Sequence, residues 1–138
     1  MARTDRFAAV AAQEEFVAAA CAATAHWIPD AEAELHALAA AHLATATRLG
    51  VKPRRWPRLL AIVRATLAAA IGTELGALTW LRRQEQLLID CYVALEGSSL
   101  IGADERLRLR TERVPAAFAR FARVDRWIML REERGAFA

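Results

Sequence analysis

Residues Thr73–Gly97 read TELGALTWLRRQEQLLIDCYVALEG. Leu78, Leu81, Leu88, Tyr92 and Leu95 return at steps of three and four residues, which marks one face of an α-helix. Glu85 stands in the middle of that face. A carboxylate at a core position is costly unless another group pairs with it. Thr73 is placed to cap the helix, and Gly97-Ser98-Ser99 ends it. Two other segments repeat this pattern, each with a polar residue inside an apolar seam.

The first is residues 4–27, with the seam Phe7, Val10, Glu14, Val17, Cys21, Thr24, Ile28. Pro29-Asp30 turns the chain, with Asp30 as the expected next cap. The second is residues 31–49, with the seam Leu35, Leu38, His42, Thr45, Leu49, closed by Gly50. Residues 51–58, VKPRRWPR, read as a basic loop, and 59–71 as a short, nearly all-apolar helix crossing to the helix at 73–97. A last helix over 103–133 carries the seam Leu107, Val114, Phe118, Phe121, Val124, Ile128, and Pro115 should kink or break it.

Composition agrees with this pattern. Of 138 residues 33 are alanine, the strongest helix former, and 56% are hydrophobic, so the expectation is one all-α domain. The net charge of +3 is too small to point to nucleic acid. Cys21 and Cys91 both fall on apolar faces and read as core residues of a reduced, cytoplasmic protein. The longest apolar stretch contains Arg64 and Glu74, and its uninterrupted part is shorter than the roughly 20 residues a membrane span needs. No Gly-rich phosphate loop, Cys-pair zinc pattern or nucleophile elbow is present, so enzymes built on them have no support.

Glu14 lies 15 residues before Pro29 and His42 lies 13 after it, so an antiparallel hairpin sets them at nearly equal height. Glu85 takes the matching height in the second hairpin, and the three should converge in one layer. Two readings follow. One is a buried Glu–His hydrogen bond with Glu85 paired to an arginine or to Tyr92. The other is a mononuclear zinc or iron site on Glu14, His42 and Glu85, since three N/O ligands can hold either metal. A di-iron centre asks for about four carboxylates and two histidines. Ala39 stands where its second-helix Glu belongs, and the last helix offers Val114, Ala117 and Phe118 at mid-height.

The order of parts resembles the ferritin-like superfamily of antiparallel four-helix bundles, and in particular small bacterial ferritin-like proteins of unknown function. The phrases that carry the likeness are Gln13-Glu14-Glu15-Phe16, Leu38-Ala39-Ala40-Ala41-His42, Gln84-Glu85-Gln86 and Tyr92-Val93-Ala94-Leu95. Asp125-Arg126 matches a further phrase in which a His precedes the Asp, a place held here by Val124. The resemblance spans about residues 5–130 and implies a bundle with a short helix in the crossover and a degenerate metal centre.

Three functional expectations result. The first is a non-catalytic bundle without cofactor, acting as a homo-oligomer or with a protein partner, which the apolar 59–71 helix suggests. The second is a metal protein using Glu14, His42 and Glu85. The third is an anionic-surface binder using Lys52, Arg54, Arg55, Trp56 and Arg58.

Overall fold

A computed structural model describes residues 3–52 and 55–137. The described residues form helices and no strands. Helix α1 spans Arg3–Ala25, and a single 3-10 turn, Pro29–Ala31, leads into α2, Glu32–Arg48. Helix α3 covers Trp56–Ala70 and α4 covers Glu74–Glu96. The last arm is α5, Ala103–Arg108, then a π turn over Leu109–Arg113, then α6, Val114–Phe137.

Side-chain pairs fix the direction of each helix. Gln13 donates to the Gln84 carbonyl at 3.1 Å, while Phe16 meets Trp80 edge-on at 5.9 Å, so α1 and α4 are antiparallel. Arg82 pairs with Asp125 at 2.6 Å and Arg110 with Glu96 at 2.8 Å, so α4 opposes the last arm. Arg131 meets Asp30 and Arg120 reaches His42, so the last arm also opposes α2. The long helices therefore run up, down, down, up in chain order, and α3 carries the chain back along α1 between the two downward helices.

The most enclosed helix is α1, which packs on α2, α3 and α4. Val17 to Ala20 and Cys21 to Ala23 are all buried, and five of these seven are alanines. Small side chains let neighbouring helices come close on several sides of α1, which a helix of leucines would prevent. A second, smaller apolar cluster of Ala19, Ala23, Val63, Leu67 and Ala77 seats α3 against α1 and α4. The other faces of α3 are open, and Ile62 is 64% exposed, so its apolar run is not enclosed all round.

Local chemistry explains most of the boundaries. Thr73 accepts from the Gly76 amide at 3.0 Å, as a capping side chain should. A Cβ at Gly76 would come within 2.6 Å of Ile71 and 2.7 Å of the Thr73 hydroxyl, so the cap needs glycine there. Gly50 has φ 108, with its own amide bonded to the Thr47 carbonyl and the Val51 amide bonded to Ala46. Those two bonds are a Schellman stop. Arg106 closes α4 by donating to the carbonyls of Glu96 and Ser98 at 2.9 and 2.7 Å.

Three expectations need correction. Asp30 makes no capping bond to α2 and pairs instead with Arg131 across the molecule. Helix α3 begins at Trp56 rather than 59, because Pro57 is tolerated in a first helical turn. Pro115 neither breaks nor ends the last arm. The π turn just before it, closed by the Val114 amide on the Leu109 carbonyl, takes up one extra residue and keeps the chain helical.

That extra residue also resets the seam. Val124 and Ile128 are buried as expected, but where the π turn begins the inward position is Leu109, 3% exposed, while Leu107 is 59% exposed. Phe118 faces out and Ala117 faces in, and Trp127 joins the core. Leu109→Ala should therefore cost about 2–5 kcal/mol in urea unfolding. Leu107→Ala should stay within about 0.5 kcal/mol. The opposite order would show that the π turn does not set this register.

Candidate functional site

Each long helix sends one or two polar side chains to a common centre. Glu14 comes from α1, His42 from α2, Glu85 and Tyr92 from α4, and Arg120 from α6. Glu14 and His42 are fully buried and Glu85 is 1% exposed. They sit on the inward faces because each occupies a seam position between apolar neighbours one turn away.

The imidazole of His42 stands between the two carboxylates. Its Nδ1 hydrogen-bonds Glu14 Oε1. Its Nε2 lies 2.9 Å from Glu85 Oε1. That second approach is close but poorly aligned, and among the described residues neither Glu85 oxygen receives a hydrogen bond. The Tyr92 hydroxyl donates to the other Glu14 oxygen at 2.6 Å. Arg120 completes the group, its Nη1 3.6 Å from Glu14 Oε1. The same Nη1 lies 3.4 Å from His42 Nδ1, and since Nδ1–H donates to Glu14 this is proximity and not a second bond.

The charges within the group balance. Two carboxylates face one guanidinium and one imidazole, so a protonated His42 makes the cluster neutral. Burial by itself disfavours the charged imidazole, but the hydrogen bond to Glu14 and the close carboxylate of Glu85 outweigh it and raise the His42 pKa from its ordinary value of 6.5. Burial, and then the Glu14 charge, push the Tyr92 phenol upward, so it stays a donor. Cys21 lies within reach of the same field, its thiol raised by burial and then by Glu85. It is a free, buried thiol, as is the half-buried Cys91 in being unpaired.

Sequence reading brought Glu14, His42 and Glu85 together, and the structure does bring them together. It assigns Tyr92 to Glu14, however, and not to Glu85. It also shows that the two carboxylates approach opposite edges of the ring. A single metal ion bound to one ring nitrogen would meet only one of them without movement of the imidazole. Among the described residues no group of three or more His, Cys, Asp or Glu side chains is arranged to hold a metal ion. Arg120 was not foreseen. It flanks the seam, three residues after buried Ala117, and only a long side chain reaches the centre from there.

The basic segment divides. Lys52, Arg55 and Arg58 are exposed, while Arg54 lies outside the described residues. Trp56 is half-buried against both apolar clusters, so it anchors α3 rather than standing free for a surface contact. His26 is exposed and meets Trp27 edge-on, and His36 is exposed beside Glu32.

Comparison with known protein families, characterised proteins and solved structures finds no match. Among the described residues no helix is long and apolar enough to cross a membrane.

Two outcomes follow from the cluster. A group whose folded pKa is raised stabilises the fold fully below its unfolded pKa, and that stabilisation is lost as pH climbs through the folded value. The Tm of the wild-type chain should thus fall as pH rises from about 6.5. The triple variant Glu14→Met, His42→Leu, Glu85→Met should lack this component in the same pH scan. Glu85→Ala alone should cost about 3–5 kcal/mol, while the triple variant with Tyr92→Phe added, which leaves no phenol without its Glu14 acceptor, should be neutral or more stable. An unchanged pH slope in the triple variant would remove the imidazolium from the account.

Proposed function

We propose that this chain is a non-catalytic, ferritin-like antiparallel four-helix bundle that acts by self-association or with a protein partner. The observation that carries the reading is the closed, charge-balanced cluster. His42 and Arg120 together bring two positive charges to the carboxylates of Glu14 and Glu85, the same charge a divalent ion would bring. His42 Nδ1 and the Tyr92 hydroxyl are both spent on Glu14, and the three central side chains are sealed from solvent. The up, down, down, up course of the long helices, with α3 in the crossover, supports the ferritin-like assignment. The outer face of α6 supports association. Phe118 and Met129 are eleven residues apart, which returns to the same side of a helix, and are 52% and 53% exposed.

Light scattering behind a sizing column, run over a range of concentrations, tests this directly. Association through α6 predicts a rise in mass with concentration that Phe118→Glu abolishes. A monomer at every concentration, with no partner retained by the wild-type that Phe118→Glu loses, would end the proposal.

A second reading has one observation in its favour: Glu85 keeps both oxygens without a hydrogen-bond donor. A reduced iron or zinc site on Glu14, His42 and Glu85 would use them, after the imidazole turned aside. Elemental analysis of protein purified without chelator separates the two readings. The first expects sub-stoichiometric metal, indifferent to His42→Ala. The second expects one ion per chain, lost in that variant.

A further inference from the structure

A cleft of about 310 Å³ opens at the end of the molecule where α1 begins, α2 ends and the π turn passes. Phe7, Leu49, Leu109 and the ring of Tyr92 give it an apolar wall, and Arg48, Arg108 and Arg113 stand around it. Glu105 also lines it, but that residue already has an interaction of its own. Among the described residues, no carboxylate lies within ion-pair distance of Arg108 or Arg113, and Arg48 bonds only the Thr45 hydroxyl, at 3.2 Å. Three guanidiniums at one partly enclosed site repel one another, and an anion seated among them would relieve that repulsion.

We propose that this cleft binds a small organic anion, an apolar body carrying one carboxylate or phosphate group. Its volume lies near the lower end of the roughly 300–1,000 Å³ typical of ligand pockets, so the body must be compact. The apolar wall takes the body, and the forked guanidiniums of Arg108 and Arg113 take the head. The π turn contributes here as well. Its first and last residues, Leu109 and Arg113, both line the cleft, and π turns recur where a helix has been adapted to a site. Tyr92 is the inner wall of the cleft, and its hydroxyl holds Glu14. A bound anion would therefore lie one side chain away from the Glu14–His42–Glu85 cluster and be felt by it.

Tyr92 is the sole tyrosine of the chain, which gives the test a local reporter. Protein carrying ring-labelled tyrosine is titrated by NMR with benzoate, phenyl phosphate, inorganic phosphate, benzylamine and benzyl alcohol. Saturable binding of benzoate or phenyl phosphate that shifts the tyrosine signal is expected, and the stronger of the two identifies the head group. Benzylamine and benzyl alcohol should bind at least about tenfold more weakly, as should benzoate and phenyl phosphate to Arg108→Gln and Arg113→Gln. Circular dichroism of both variants should match the wild-type, since Arg108 is exposed and Arg113 half-buried. The proposal fails if no probe saturates or if the tyrosine signal stays still on binding. It fails equally if inorganic phosphate binds as tightly as phenyl phosphate, or if both folded arginine variants bind like the wild-type.

Discussion

The carboxylate of Glu14 is the point on which the rest of the structure depends. It receives His42 from α2, Tyr92 from α4 and Arg120 from α6, so one side chain of α1 touches a polar group from every other long helix. Glu85 adds a second negative charge on the far edge of the imidazole. Apolar packing of alanines and leucines favours burial without choosing between registers one turn apart. A buried charge does choose, because sliding any one helix by a turn strands an ion without a partner. The cluster thus supplies uniqueness to a core that composition alone leaves loosely specified.

The same cluster narrows the chemistry. His42 lies between two acceptors rather than beside them, and the positive charges of His42 and Arg120 are internal. The cluster ties the long helices to one another at a single level. It does not present an open face to a substrate. Contact with the exterior runs instead through the Tyr92 ring, which is shared between the sealed centre and the arginine-lined cleft.

Much of this was legible from residue spacing. The seams of α1, α2 and α4 are buried as their periodicity required, and Glu14, His42 and Glu85 meet because equal distances from a turn give equal heights. The seam of the last arm was misplaced at Phe118 because Ala117 and Phe118 both fit a three-and-four count from Val114 to Phe121 and Ala117 takes the inward place, and at Leu107 for another reason. A π turn adds a residue that no three-and-four count contains, and nothing in residues 109–113 announces it apart from the proline that follows. Asp30 was misassigned for a different reason. Its sequence neighbours suit a cap, but Arg131 offers a charge from about a hundred positions away.

By itself the chain determined the helices, their caps at Thr73 and Gly50, the inward faces and the three polar residues on them. These are local properties, set by side-chain period and backbone preference within a few residues. Only the tertiary structure decided that α1 is the enclosed helix, that Tyr92 serves Glu14, that Arg120 closes the charge balance, and that Arg48 joins Arg108 and Arg113 at one cleft. Such pairings depend on distances between helices, and a long flexible side chain can reach a centre that its position on the helix does not predict.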